Sequence, residues 1–337
     1  MKKIYSQIKS AINDSHHVLL HLHPGSDADS AGSALAFYHY LNSINKKVTL
    51  ISGDSNLSPG LATLPGADKI LSKNFFDLNL ADFDLFIILD SSSLRQITRL
   101  GDFKFPRTLK TIVIDHHPSN EKFAKINLVV PHSPATAQVL FDLFSVRKIK
   151  ITPKIAACLY AGIYTDTGGF KYAGTTHKTL VIASQLAKIY PKFSQLIFDI
   201  ENNDPPERLK LISLLLCSIE IYYSGHVAIA SLSYEDIKKH QLESVVNTSY
   251  SDVANMIKSV IGWDIALVFV EIQPQTVKVS FRTRDSRTYD LSQIAVATKA
   301  GGGHKAAAGA TINQPLSEAK TLVLQIIKKL HPKIDKI

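Results

Sequence analysis

Cysteine is scarce in this chain, with two in 337 residues and no CxxC spacing. That excludes a disulfide framework and a thiolate zinc cluster. Cys158 in KIAACLYAGIY and Cys217 in ISLLLCSIE sit in apolar helical contexts, and both are expected to be buried, reduced thiols. Long apolar runs are also missing. None approaches the ~18 uninterrupted apolar residues of a membrane span, and the opening MKKIYSQIKSAINDSHH lacks the apolar stretch of a secretory signal. A cytoplasmic protein with no membrane partner is therefore expected. Negative charge is in short supply: 29 Asp+Glu face 38 Lys+Arg, for a formal net charge of +9, and most of the excess lies in the first 190 residues. A basic surface raises the local concentration of anionic partners. With 45% hydrophobic and 20% charged residues the composition is that of a globular chain, which excludes intrinsic disorder, and the length suits two domains.

The first half alternates strand and helix periods. HHVLLHLH and KKVTLISG read as short buried strands, and SAGSALAFYHYLNSI between them has helical spacing, giving a βαβ unit. DLFIILD and KTIVIDHH are further apolar runs, each reaching an aspartate. Apolar strands that end in polar residues predict a parallel sheet with a site at its carboxyl edge. SPATAQVLFDLF and TPKIAACLYAGIYTD read as helices opening with Ser-Pro and Thr-Pro at the cap and first helical position, followed by the helical TTHKTLVIASQLAKIY. Turn residues in YPKFSQ and ENNDPPERLK place a connector at 191–207, between domains at 1–190 and 208–330. The second domain reads as α+β, with strands HVAIASLS, DIALVFVEI and TVKVSFRTR, then a glycine cluster and a final helix.

Candidate chemistry gathers at the strand ends. HLHPGSDADSAGS, residues 21–33, offers His23, Asp27 and Asp29 in HxxxDxD spacing. Carboxylates and an imidazole on one loop suit Mn²⁺ or Mg²⁺ better than a soft metal, although a capping turn with Asp29 or Ser30 as N-cap reads equally well from this stretch alone. FIILDSSS presents Asp90, and IVIDHHPSN presents Asp115, His116 and His117. A lone strand-end Asp is usually a cap, but three strand ends delivering Asp and His to one sheet edge repel one another unless a cation neutralises them. Asp166 in AGIYTDTGGF either closes a second coordination sphere or ends its helix before Gly168 and Gly169.

Together HxxxDxD, the strand-end Asp, DHH and the Asp of TDTGG, in this order, resemble the DHH phosphoesterase superfamily. GGGHKAAAG at 301–309 is similar to the glycine-rich signature of the DHH-associated carboxyl-terminal domain, and KVSFRTR to its arginine strand, so the resemblance runs from about residue 16 to 310. One departure concerns Pro24, which is followed by Gly-Ser before Asp27. Spacing back from the aspartates selects His23 as ligand; distance to the proline selects His21. His23 is preferred because the ion constrains ligand-to-ligand spacing and not the proline.

The resemblance implies an α/β fold of two domains, a mostly parallel amino-terminal sheet flanked by helices and a smaller α+β domain, with the active site in the cleft between them. It implies two Mn²⁺, with Mg²⁺ or Co²⁺ as substitutes: His23, Asp27 and Asp90 on one ion, and Asp29, Asp90, His116 and Asp166 on the other, Asp90 bridging. His117 would donate to the phosphoryl group and Asp115 would orient the neighbouring imidazole. Gly301, Gly302 and Gly303 would bring backbone N–H groups to a substrate phosphate, with Arg282 and His304 as side-chain donors; the alternative is a tight turn of small residues. Arg284, Arg287 and Lys305 read first as solvated charges. The compact arrangement is similar to the nanoRNase branch, which implies hydrolysis of short single-stranded RNA or DNA oligonucleotides and of a nucleoside bisphosphate, phosphoadenosine phosphate, by water attack on phosphorus. A RecJ-like exonuclease, a cyclic or linear dinucleotide phosphodiesterase and an inactive nucleotide-binding protein are the alternatives, and a homodimer is left open.

Overall fold

The computed structural model describes residues 2–246 and 250–336. The chain divides into two compact units between Asn203 and Asp204. In the first, Lys2–Asn13 forms α1, His17–His21 β1, Ala28–Ser43 α2, Lys47–Ile51 β2, Leu85–Leu89 β3, Lys110–Asp115 β4 and Ile126–Val129 β5. Thr136–Val146 is α3, Pro153–Asp166 α4, His177–Ile189 α5 and Phe193–Glu201 α6. All five strands pair in parallel in the order β2-β1-β3-β4-β5. Because the chain leaves β1 for one side and returns on the other, a topological switch point opens at the carboxyl ends of β1 and β3, where α/β sheets accept ligands.

Both faces of this sheet are covered, which is why β3 is buried at every position. Val18, Leu20, Ile87, Ile112 and Ile114 face the helices, against Leu35, Phe37, Phe144 and Leu159. Leu19, Phe86, Ile88 and Val113 face Phe75, Phe83, Ile97 and Leu109, which come from loops and short 3-10 turns. α4 begins as its Thr-Pro pair requires: the Thr152 hydroxyl accepts from the Ile155 N–H and Pro153 occupies the first position. α3 departs from expectation. It starts at Thr136, after the Ser133-Pro134 pair, and Ala135 at its cap offers no side-chain acceptor. Its first N–H groups are satisfied instead by a carboxylate from α2, described below.

In the second unit, Pro206–Cys217 is α7, Glu220–Tyr222 β6, Val227–Leu232 β7, Tyr234–Lys239 α8, Ser251–Lys258 α9, Ile265–Gln273 β8 and Thr276–Thr283 β9. Leu291–Ala297 is α10, Gly301–His304 β10, Ala307–Ile312 β11 and Leu316–Leu330 α11. The sheet order is β10-β11-β9-β8-β7-β6, antiparallel except for β7 with β8. β9 alternates strictly: Val277, Val279 and Phe281 pack on α10 and α11, which sends Lys278, Ser280 and Arg282 to the opposite face. The glycine cluster, for which a turn was the alternative, is the edge strand β10, paired through Gly302↔Gly309 and His304↔Ala307. Cys158 is buried as expected, but Cys217 is exposed. α7 buries Leu211 and Leu215, which leaves Cys217 on the solvent side with Leu216. Among the described residues, no helix is long and apolar enough to cross a membrane.

Candidate active site

Each strand end delivers its side chain by a local device. Beyond β1, Gly25 turns with φ +73°, and the Asp27 carboxylate then caps α2 by accepting from the N–H groups of Asp29 and Ser30. The capping reading and the ligand reading of this loop thus coexist, with Asp27 as the cap. Beyond β3, Asp90 adopts φ +53°, a conformation that a non-glycine residue holds only when its surroundings impose it. Its N–H donates to Ile114 O, and its Oδ1 accepts from the Thr136 hydroxyl at 3.0 Å. Beyond β4, Nδ1 of His116 lies 3.1 Å from Ser133 O, which leaves Nε2 for the cluster. At the end of α4, Thr167 returns its hydroxyl to Ile163 O, so Asp166 is not needed as a cap.

These devices bring His23, Asp27, Asp29, Asp90, His116, His117 and Asp166 together. Asp90 lies between two imidazoles, with Oδ2 3.4 Å from His23 Nε2 and Oδ1 3.6 Å from His116 Nε2. His23 Nε2 is also 3.8 Å from Asp27 Oδ1, and His116 Nε2 is 3.2 Å from Asp166 Oδ2. Three sets have ligand atoms within 4.8 Å of one another and could each hold a metal ion: His23, Asp27 and Asp90; Asp29, His116 and Asp166; Asp90, His116 and His117. Asp29 is buried and accepts from the Thr136 N–H at 2.6 Å and the Ala137 N–H at 2.8 Å, so it caps α3 from another helix. Oδ1 also accepts from the Ser33 hydroxyl at 3.4 Å, while Oδ2 keeps a second lone pair.

The electrostatics are those of a crowded anionic pocket. Burial and the carboxylates of Asp90, Asp166 and Asp27 push the Asp29 carboxyl well above its ordinary range. Burial with Asp90 and Asp27 pushes Asp166 up to about 8. Burial would lower His23, but Asp27 and Asp90 raise it well above 6.5. His117, likewise opposed by burial, is raised to about 9, chiefly by Asp115. Retained protons on acids beside protonated imidazoles are what a hard cation would displace, and an all-oxygen and imidazole donor set fits a divalent ion.

His21 stands apart. It is fully buried, its edge faces Phe86 at 5.3 Å, its Nε2 lies 3.2 Å from Gln96 O, and burial depresses it to about 3. Of these two histidines, His23, which the aspartate spacing favoured, belongs to the cluster, and His21 does not. In the second unit, Arg282, Ala307 and His304 lie in one cross-strand row on β9, β11 and β10, beside Gly309 and Gly302. Arg284 is spent on backbone: its Nη1 donates to the carbonyls of Lys258, Ser259 and Val260.

Residues 17–163 match the DHH family, N-terminal domain, and residues 225–331 match the DHHA1 domain. The chain carries a DHH domain and a DHHA1 domain. Among curated proteins it is 27% identical over 329 residues to the bifunctional oligoribonuclease and PAP phosphatase NrnA of Thermus thermophilus, covering 97% of this chain and 93% of that protein. The protein of the same name from Bacillus subtilis is 25% identical, covering 88% and 89%. The fold is that of an exopolyphosphatase-related protein from Bacteroides fragilis, with a TM-score of 0.89 at 24% identity over all of this chain and 98% of that one.

Within this DHH site, several partners escaped the sequence reading. Asn120 donates to Asp115 Oδ2 at 2.7 Å, and Thr136 and Ser133 hold Asp90 and His116. Asn120 stands five residues after Asp115 in the same loop and was within reach of the motif; Thr136 is supplied by a helix with no motif of its own.

Proposed function

We propose that this chain is a manganese-dependent hydrolase of short oligoribonucleotides and of 3′-phosphoadenosine 5′-phosphate, with Mg²⁺ or Co²⁺ as substitute metals. The reading is carried by Asp90, whose two oxygens face two different imidazoles in the midst of three further acids. Its substrate class is supported by the oligoribonuclease and PAP phosphatase activity for which the Thermus and Bacillus relatives are named.

In this reading His23, Asp27 and Asp90 would hold one ion, and Asp29, Asp90, His116 and Asp166 the other. Divalent ions held there would supply Lewis acidity, acidifying water and neutralising charge on phosphoryl oxygens. The chain does the rest. His117, protonated through its bond to Asp115, donates to a nonbridging phosphoryl oxygen from Nε2, and Asn120 fixes Asp115 in turn. Thr136 holds Asp90 in its strained conformation, and the N-terminus of α3 fixes both oxygens of Asp29. Arg282, His304 and the β10 glycines bind a substrate phosphate, to which the glycines allow close backbone approach.

The test is a cleavage panel of RNA and DNA of two to five nucleotides, phosphoadenosine phosphate, cyclic and linear dinucleotides, and pyrophosphate, each with Mn²⁺, Mg²⁺ and Co²⁺. Highest kcat/KM on short oligoribonucleotides or phosphoadenosine phosphate supports the proposal. Preference for pyrophosphate or a cyclic dinucleotide, or no turnover with any metal, overturns it.

A further inference from the structure

A strained turn follows Asp166. Gly168, Gly169 and Phe170 are consecutive left-handed residues, with φ of +58°, +66° and +66°. A phenylalanine adopts that conformation only when its surroundings impose it. Here the Thr167 hydroxyl accepts from the Phe170 N–H at 3.0 Å, and the Phe170 ring packs edge-on against Tyr164 with centroids 5.7 Å apart. The chain then folds back, so that the N–H groups of Lys171 and Tyr172 both donate to Thr167 O at 3.0 Å. This return lays the Tyr172 ring on Gly168. A Cβ at position 168 would lie 2.4, 2.5 and 2.8 Å from Cζ, Cε1 and Cε2 of that ring. Distances so nearly equal place Gly168 over the ring face, since an approach along the edge would set both Cε atoms well beyond Cζ.

Both ends of the turn abut the site. It begins one residue after Asp166, and at its far end Gly174 lies against Pro134, where a Cβ would be 3.7 Å from Pro134 Cβ. Pro134 follows Ser133, whose carbonyl holds Nδ1 of His116, and His116 Nε2 is 3.2 Å from Asp166 Oδ2. Tyr172 therefore stands beside the His116–Asp166 pair. Its side chain belongs to a residue that is 48% exposed; among the described residues, no other ring stacks on it and its hydroxyl makes no hydrogen bond. The neighbouring Tyr160, Tyr164, Phe170 and Phe193 pack on one another instead. Backbone strain thus seats one face of a flat ring, and the opposite face is left bare.

We propose that this bare face of Tyr172 is a stacking platform for a base of the nucleotide substrate, with Gly168 as the positioning residue that seats the ring. This rests on the phosphoesterase reading above and adds a base subsite to its phosphate contacts. Every nucleobase presents a π-face, so an aromatic side chain stacks on it with little regard to sequence. Chain length alone keeps the Cα atoms of Gly168 and Asp166 within about 7.6 Å of each other, so a base on the platform stays next to a phosphate engaged at Asp166. A base-free phosphate ester gains nothing from the ring, which therefore selects nucleotides among phosphoesters.

The experiment compares KM and kcat for a diribonucleotide, for phosphoadenosine phosphate and for ribose 3,5-bisphosphate, which is the second substrate without its base. Tyr172→Ala should raise KM about tenfold for both nucleotides, the size of one lost base–aromatic stack, and leave KM for ribose bisphosphate where it was. Tyr172→Phe should keep the wild-type KM throughout, because stacking needs the ring and not the hydroxyl. Binding is read apart from turnover in Tyr172→Trp: adenosine 5′-monophosphate in Mg²⁺ should quench the new indole emission, and ribose 5-phosphate should not, each measured against the wild type, whose one tryptophan is Trp263. If the wild type hydrolyses both nucleotides while Tyr172→Ala leaves their KM unchanged, or if the Tyr172→Trp emission ignores the nucleotide, the platform alone falls. An equal loss on ribose bisphosphate overturns it as well, by assigning the ring to packing on Gly168. A wild type inactive on all nucleotides rejects the parent reading.

Discussion

Nδ1 of His117 lies 2.8 Å from Oδ1 of Asp115, a fully buried carboxylate whose other oxygen accepts from Asn120. The pair fixes the ring so that Nε2 points away from Asp115, and the carboxylate stabilises the protonated form. Replacing Asp115 by Ala should lower kcat about 10–100-fold with a smaller change in KM, because ring orientation is lost while ligands remain. Steady-state kinetics on a dinucleotide check this; a variant with wild-type kcat would remove Asp115 from the site.

Asp90 lies within ion-pair distance of His23, His116 and His117. Asp90→Ala should abolish divalent-dependent hydrolysis and reduce bound metal from two ions to one or none per chain, while the fold persists in circular dichroism. Two tightly bound ions and normal turnover in this variant would refute the bridging role.

Stripping the metal should make stability depend on pH in a defined direction. The Asp166 carboxyl, pushed up to about 8, binds a proton in the folded state that the unfolded chain has already lost, so its contribution weakens as pH rises from about 4 to 8. The His117 contribution, complete below about 6.5, is lost as pH rises through about 9. Asp27 and Asp115, both held below the usual range, lose theirs only in acid. In excess chelator the melting temperature should therefore fall by about 5 °C or more between pH 6 and 9, and saturating Mn²⁺ should flatten the slope. Calorimetry that found chelated protein equally stable at both pH values would contradict the proton-holding pocket.

Two glycines should behave oppositely. A Cβ on Gly162 of α4 would meet Asp29 Oδ1 at 2.7 Å and Ala137 Cβ at 2.8 Å, whereas a Cβ on Gly302 meets nothing within 4 Å and its φ is ordinary. Gly162→Ala should cost about 1–3 kcal/mol and impair activity by shifting Asp29. Gly302→Ala should leave the melting temperature unchanged and raise KM, since only an approaching ligand requires the missing side chain there. An unchanged KM would take Gly302 out of the phosphate site.

The chain itself determined much of this architecture. Apolar runs of five or six residues closed by Asp or His could be read as buried parallel strands with a polar carboxyl edge, because strand period and burial are local properties of side chains. HxxxDxD, DHH and TDTGG marked the acids and histidines that meet. Spacing back from the aspartates favoured His23 over His21, two residues away; in the structure the chain leaving β1 turns His23 toward Asp90 while His21 stays in the core against Phe86. Local pattern could not find Asp29 capping α3 across more than a hundred residues, or Arg284 gripping the end of α9, or the glycine cluster as an edge strand. Those partners are set by which backbone groups the packed elements leave unpaired, and no window of sequence contains both halves of such a contact.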